Sequence, residues 1–323
     1  MHDQNTILQP KIAVILPCHN EAISIVATIE AFKKHLPQAE IWVIDNCSSD
    51  QSATLAQKAG AHVLFEERQG KGFAVRKAFQ VIESDVYVLA DGDGTYDAEA
   101  APKLIDTLLG NHYQMVVGSR KPAQGATNAY RPAHSFGNWA LTTIVRLLFG
   151  VGFNDMLSGY RVFSRSMVKS IALESHGFEI ETELAVHCLT LELSCCEIET
   201  RYFERLQGSI SKLNTWQDGW KILMMIIKLL RNKRPMLFFN SISVILASLA
   251  IILFIPIWDY YQQTGLVLRY PTFFLCGFLS LAAMGSTACG IIVEQITRAR
   301  LEAKKLAWLR ACDQNTPNPP LKP

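Results

Sequence analysis

The chain has 323 residues, of which 49% are hydrophobic, and a formal net charge of +2. That length admits two domains, the first ~210 residues being enough for one large α/β core, and with a near-neutral charge nothing global argues for a nucleic-acid partner. The eight cysteines, among them the vicinal Cys195-Cys196, show no CxxC and no Cys/His zinc spacing, so they read as reduced thiols or small core residues. Met1 to Pro10 lacks the basic start and apolar centre of a signal peptide.

Lys11 to Leu16 is a β-branched run ending at Pro17 and predicts a first strand. Ala22 to His35 predicts a helix with Ile25, Ile29 and Phe32 on one face. Glu40 to Ile44 predicts a second strand delivering Asp45 and Asn46. Ser52 to Ala59 predicts a helix closed by Gly60, with Asp50 placed to cap it. His62 to Phe65 predicts a third strand, Gly70-Lys71-Gly72 opens a helix over Phe73 to Glu83, and Asp85 to Ala90 predicts a fourth strand. Strand–helix alternation with short glycine-containing connections signals an α/β fold with a mostly parallel, doubly wound sheet. Ligands in such sheets bind beyond the carboxyl ends of the strands. Glu21, Asp45, Asp50, Lys71, Asp91 and Asp93 are therefore expected to line one crevice.

The fourth strand ends in Asp91-Gly92-Asp93-Gly94-Thr95. Two carboxylates one residue apart at a strand end build an oxygen-lined seat for a hard cation, Mg²⁺ or Mn²⁺, which in such a seat commonly also holds a substrate diphosphate. Asp-Gly pairs are also ordinary turn formers, and a surface turn is the competing interpretation.

Further on, Trp139 to Phe153 is apolar apart from Arg146 and suits either an interfacial helix or a core helix. Trp216 to Leu230 sets Trp216, Trp220, Leu223 and Ile227 beside Lys221 and Lys228, which suits a helix lying at headgroup level. Met236 to Trp258 and Pro271 to Val293 contain no charged residue. Each is long enough to cross ~30 Å of hydrocarbon at ~1.5 Å per residue. Lys228, Arg231, Lys233 and Arg234 precede the first run, and Arg298, Arg300, Lys304 and Lys305 follow the second. The positive-inside bias places the N-terminal part and the C-terminus in the cytoplasm. Gly277, Ser280, Gly285, Ser286 and Gly290 predict close helix contact, within the hairpin or between protomers of a homo-oligomer. Asp313 to Pro323 is proline-rich and reads as disordered. The expected organisation is a cytoplasmic α/β domain over 1–210, an interfacial helix region over 211–234, two transmembrane helices within 235–298 and a cytoplasmic tail over 299–323.

Four motifs in this order, Pro17-Cys18-His19-Asn20-Glu21, Asp45 to Asp50, Gly70-Lys71-Gly72 and Asp91-Gly92-Asp93, resemble the nucleotide-sugar core of family-2 glycosyltransferases. The resemblance implies a GT-A fold, a Rossmann-like and mostly parallel sheet. Gly118-Ser119-Arg120, Arg131 with Ser135 and Asn138, Asp155 with Ser158 to Arg161, and Arg205 with Gly208, Ser211 and Lys212 are similar to the polyprenyl-phosphate branch, which includes dolichol-phosphate mannosyltransferase. The helix pair is similar to that of two-span bacterial members using undecaprenyl phosphate. The likeness covers about Lys11 to Arg300. Asp45-Asn46 departs from a common double aspartate, and Gly92 and Gly94 depart from a common Asp-Ala-Asp-Leu.

The resemblance implies that Pro17, His19, Glu21 and Asp45 form the base and ribose pocket, assisted by Asp50. It implies that Lys71 and Gly72 approach the nucleotide, and that Arg205 and Lys212, with Ser211, close over the diphosphate. Asp91 and Asp93 would hold the cation, with Thr95 as a third ligand. Arg120 and Arg131, with Ser135, are implied for the acceptor phosphate, because a guanidinium grips phosphate in a bidentate fork. Asp93, Arg120 and Arg131 are the implied catalytic residues. Of Glu179, Glu181 and Glu183, the resemblance favours Glu183 for the site, against a plain charged helix start. His134, His176 and His187 have no ligand-like spacing.

A phosphate monoester is already ionised near neutral pH, so such an acceptor requires anion steering more than a strong base. The expected activity is inverting, metal-dependent transfer of one sugar from a nucleotide sugar, with uridine the favoured base, to polyprenyl phosphate at the cytoplasmic membrane face. Two alternatives stand beside it: transfer to a non-lipid hydroxyl, and a catalytically silent membrane scaffold. Arg120, Arg131 and Lys212 argue against the first, and intact Lys71, Asp91 and Asp93 against the second. The Gln-x-x-Arg-Trp signature of processive synthases is absent.

Overall fold

The computed structural model describes residues 10–122, 142–143, 145–147, 152–177, 179–204, 224, 231 and 234–313. Two compact units emerge, one built on a sheet and one, Trp220–Ala303, built on two long helices.

The sheet has seven strands in the order β3-β2-β1-β4-β6-β5-β7. These are β1 (Ile12–Cys18), β2 (Glu40–Asp45), β3 (His62–Phe65), β4 (Val86–Leu89), β5 (Met115–Pro122), β6 (Arg161–Ser164) and β7 (Cys195–Tyr202). β1 pairs in parallel with β2 and β4, β2 with β3, and β5 with β7, while β6 runs antiparallel between β4 and β5. Mostly parallel pairing thus holds as expected. The reversal at β6 brings the start of that strand, and the loop before it, to the carboxyl ends of the others.

The first strand runs two residues beyond its predicted end. Pro17 is tolerated there because β4 pairs with β1 only through Ile15 and Leu89, leaving no ladder on that side of the proline. Helix α1 (Ile25–His35) starts later than predicted, since Ser24 and Ile25 N–H groups both turn back onto the Glu21 carbonyl, at 3.0 and 2.9 Å. α2 spans Ser52–Lys58, and α3 spans Lys71–Val81, so Lys71 is helical rather than a loop residue. α4 (Ala101–Gly110), α5 (Arg165–Ser170) and α6 (Ile180–Thr190) complete the layers. Ile29 and Phe32 of α1 are buried against Val14, Leu16 and Val88, as the helical spacing requires. Burying each such side chain stabilises the fold by roughly 1.5–3 kcal/mol.

Of Trp139 to Phe153, Thr142, Thr143 and Val145–Leu147 are helical; Val145 is buried and Leu147 is 83% exposed. Trp216 to Leu230 lies outside the described residues except Met224, which is helical and half-exposed.

The second unit contains α7 (Pro235–Thr264) and most of α8 (Tyr270–Asp313). Both are long and apolar enough to cross a membrane, and only 6% of the most apolar window of α7 is buried, unlike a soluble core helix. α8 does not stop near Val293 but continues as helix to Asp313, through the basic cluster expected to begin the tail. Polar hydroxyls tie the pair together: Ser243 donates to the Ala283 carbonyl and Ser286 to the Phe239 carbonyl, both at 2.9 Å. Ser286 therefore makes the predicted close contact within the hairpin. Gly290 sits against Phe239, whereas a Cβ on Gly277 or Gly285 would meet nothing within 4 Å.

Candidate active site

The parallel strands bring Cys18, Asp45 and Leu89 to one edge of the sheet. Asp45 is 5% exposed, and its Oδ1 is buried without a hydrogen-bond partner among the described residues. Such an orphaned acceptor is costly unless a ligand donor meets it. His19 Nδ1 lies 2.7 Å from the Asn46 carbonyl. Asn46 staples β2 to the next loop, donating to the Arg68 carbonyl at 2.7 Å and accepting from Gly70 N–H at 2.6 Å. Glu21 N–H donates to Ser52 Oγ at 2.8 Å. Asp50 accepts from Ser52 N–H at 2.9 Å, from Ser52 Oγ at 2.5 Å and from Ala22 N–H at 3.1 Å, so its carboxylate secures the α1 and α2 starts. Burial raises the Asp50 carboxyl, but these bonds outweigh it and hold the group below the usual carboxylate range.

Gly70 and Gly72 have a reason inside the chain. A Cβ on Gly72 would collide with the Ser175 carbonyl, and one on Gly70, at φ +143°, with the His176 carbonyl. Gly72 N–H donates to that His176 carbonyl at 3.0 Å. The 174–177 segment is held there by two carboxylates: Glu183 accepts from Glu174 and Ser175 N–H, both at 2.8 Å, and Glu179 from His176 and Gly177 N–H. Glu183, favoured by resemblance, is thus a loop anchor, and His176 stacks on Phe73 with ring centroids 4.7 Å apart.

Glu181 is the glutamate that enters the site. Lys71 Nζ donates to Glu181 Oε1 at 2.6 Å and also bonds Asp91 Oδ1. Burial opposes the ammonium, but the two carboxylates dominate and hold Lys71 far above the ordinary lysine range. Asp93 is 3% exposed and accepts from Thr95 N–H at 3.1 Å and Thr95 Oγ1 at 2.7 Å. Thr95 therefore supports Asp93, its hydroxyl hydrogen directed at the carboxylate. The backbone of Gly159 roofs the Lys71–Asp91 pair, and its N–H donates to Tyr96 Oη at 2.8 Å. Burial first, and Asp91 second, push the Tyr96 phenol well up.

That roof is built by Arg161, which has no solvent exposure. Its Nε donates to the Ser158 carbonyl at 2.9 Å and its Nη2 to the Met156 carbonyl at 2.8 Å. Arg120 meets Asp155 in a two-bond fork, and its guanidinium lies 5.6 Å from the Tyr202 ring centroid. The Tyr202 phenol is raised by burial and then by Asp93, and is lowered by Arg120, so the arginine and the Asp91–Asp93 turn act on one side chain.

Sequence reasoning weighed Glu181 but favoured Glu183, missed Tyr96 and Tyr202, and gave Asp155 and Arg161 only as parts of a motif. Arg131, Ser135, Arg205, Ser211 and Lys212 lie outside the described residues.

Among the described residues no cluster of three or more His, Cys, Asp or Glu side chains could hold a metal. Asp91 and Asp93 make at most a two-carboxylate seat. That donor set fits Mg²⁺ or Mn²⁺, cations commonly held by one or two carboxylates and completed by substrate phosphates.

Residues 13–172 match the family described as Glycosyl transferase family 2. Over 233 residues the chain is 34% identical to glycosyltransferase AglJ of Haloferax volcanii, covering 72% of this chain and 76% of that one. The chain is a family-2 glycosyltransferase. This glycosyltransferase is also 30% identical over 227 residues to a dolichyl-phosphate hexose transferase of Haloferax volcanii, covering 69% of its own length and 95% of that relative. Among solved structures, glucosyl-3-phosphoglycerate synthase of Mycobacterium tuberculosis aligns with a TM-score of 0.53 at 20% identity, over 68% of this chain and 80% of that one. That likeness establishes the GT-A fold alone.

Proposed function

We propose that this glycosyltransferase moves a single sugar from a nucleotide sugar, a UDP-sugar, to a polyprenyl phosphate, undecaprenyl phosphate, at the cytoplasmic face of the cell membrane. Residues 1–210 are the transferase domain, 211–234 a headgroup-level region, 235–298 the two-span anchor and 299–323 a cytoplasmic tail. The observation that carries the acceptor reading is Arg120, a partly buried guanidinium held in planar two-bond geometry 5.6 Å from the ring of Tyr202, whose neighbour Phe203 donates its N–H to the Thr95 carbonyl just beyond Asp93. A guanidinium pairs with phosphate in the same two-bond geometry, so the lipid phosphate would share Arg120 with Asp155 or displace it. The dolichyl-phosphate hexose transferase relative and the two membrane-length helices support the same acceptor class.

In this reading Asp45 Oδ1 accepts from the base or ribose, with Pro17, His19, Glu21 and Gly72 lining that side. Lys71 attracts the diphosphate, and Arg205 and Lys212 close over it. Asp91 and Asp93 would hold a divalent cation, which would supply positive charge against the leaving nucleoside diphosphate. Arg120 and Arg131, with Ser135, steer the lipid phosphate to the anomeric carbon. An acceptor phosphate oxygen forms the new bond there as the bond to the nucleoside diphosphate breaks from the opposite side, inverting the configuration. No proton need be removed, because the acceptor is already an anion.

Membranes carrying the chain, given a panel of nucleotide sugars with either polyprenyl phosphate or soluble sugar acceptors, test this directly. Transfer to the lipid phosphate is expected. Transfer to hydroxyl acceptors alone would overturn it.

A further inference from the structure

Lys71 and a divalent cation have a claim on the same carboxylate. The ammonium bonds Asp91 Oδ1 and, on its other side, Glu181 Oε1 at 2.6 Å. Its side chain is 8% exposed and that of Glu181 5%, so neither charge is much relieved by water, and the attraction is far stronger than at the surface. Glu181 is more than a counter-charge for Lys71, because its Oε2 is buried with no hydrogen-bond partner among the described residues. A carboxylate so placed keeps pulling on whatever cation lies in front of it.

The surroundings leave the lysine one way to move. The start of α3 is pinned by Gly70 N–H on Asn46 Oδ1 at 2.6 Å and by Gly72 N–H on the His176 carbonyl at 3.0 Å. A Cβ on Gly159 would lie 2.9 Å from Lys71 Nζ and 3.2 Å from Asp91 Oδ2. The backbone is fixed and the roof is close, so a change of partner is a swing of the side chain alone.

We propose that Lys71 competes with the divalent cation for Asp91, that Glu181 is the positioning residue holding the ammonium in that competition, and that the nucleoside diphosphate ends it by drawing Lys71 onto its phosphates. The inference rests on the reading of Asp91 and Asp93 as the cation seat. Its consequence is coupled loading: the cation binds weakly by itself and tightly together with the diphosphate. Lys71 then has effects of opposite sign on the two ligands, which a purely structural lysine, or one that merely orients Asp91 for the metal, would not have.

The test is Mn²⁺ binding to the purified full-length protein in detergent, read from the spin-resonance signal of free Mn²⁺ with and without UDP. Lys71→Met is expected to bind Mn²⁺ alone about tenfold more tightly than the wild type, and to bind UDP with Mn²⁺ about tenfold more weakly. Lys71→Met combined with Glu181→Gln leaves no unpaired Glu181 charge, and serves if the single variant does not fold; the same two shifts are expected. Unchanged or weaker binding of Mn²⁺ alone in a folded variant would overturn the proposal. So would a wild-type protein whose Mn²⁺ affinity is the same with and without UDP. Asp91→Asn separates this from the underlying reading: if it binds Mn²⁺ with UDP as the wild type does, the cation seat itself is misassigned.

Discussion

Arg120 and Asp155 meet fork to fork, with Nε 2.7 Å from Oδ2 and Nη2 2.7 Å from Oδ1. Asp155 is itself anchored, its N–H donating to Glu197 Oε1 at 2.9 Å, so the β7 edge sets the plane of the guanidinium. The carboxylate fixes the guanidinium in place, so the group is oriented before any anion arrives, and less side-chain entropy is lost on binding.

Replacing Arg120 with Ala is expected to cripple transfer and largely spare donor binding. Loss of one charge-assisted phosphate contact costs roughly 1.5–3 kcal/mol, about ten- to hundredfold in rate or affinity. The melting temperature should also fall, since Asp155 is left buried without its counter-ion. Arg120→Lys restores the charge without the fork and should recover activity only in part. Titration of the nucleotide sugar with metal present is the control. Collapse of donor binding with unchanged acceptor dependence would move Arg120 to the nucleotide side.

Asp93 is held by two donors from Thr95. Asp93→Ala is expected to abolish turnover while the protein still folds and inserts, because a charge that serves the leaving diphosphate is gone. Thr95→Val should give a smaller loss, as it removes only one of the two donors. Undiminished and chelator-insensitive turnover in Asp93→Ala would remove the metal from the account.

Much of the sheet was legible because β1, β2, β3 and β4 are short β-branched runs separated by glycine and helical periodicity, patterns that local sterics impose. Asp91 and Asp93 were legible for the same reason, since a strand end fixes where they emerge. Glu181 was not. Glu179, Glu181 and Glu183 are alternate residues at a helix start, and spacing alone does not say which faces inward. Tertiary packing decides it: Gly70 and Gly72 admit the 174–177 backbone, and Glu179 and Glu183 are taken up in holding it. A signal was present in Ile180, Leu184 and Ala185, the apolar and fully buried residues that flank Glu181 on α6. Gly72 shows the same limit, because a packing demand on a glycine, here the Ser175 carbonyl against it, is invisible in sequence.

Topology follows from charge and length. Reporters fused after Tyr261, within α7 close to its C-terminal end, are expected to read outside, and those after Arg310 inside, given the basic clusters at the outer ends of the helix pair. An Arg310 fusion that reads outside would overturn the hairpin.

Asp50 gives the fold a defined acid dependence. Its carboxyl is raised by burial but lowered more by the bonds from Ser52 and Ala22, so its pKa is lower folded than unfolded. A group shifted this way contributes its full stability above the unfolded value of ~4, and loses it as pH falls through the folded value. Asp50→Asn should therefore melt below the wild type by a constant margin above about pH 5, and the margin should shrink below about pH 4. A margin that widens in acid would contradict the assigned bonding.

The central claim is single-sugar transfer to a lipid phosphate, and the mass of the extracted lipid product tests it most directly. Purified chain, nucleotide sugar, Mg²⁺ and undecaprenyl phosphate should yield undecaprenyl phosphate heavier by one sugar residue, with none formed from undecaprenol. Product on undecaprenol, a ladder of several sugars, or no lipid-linked sugar with any donor would contradict it.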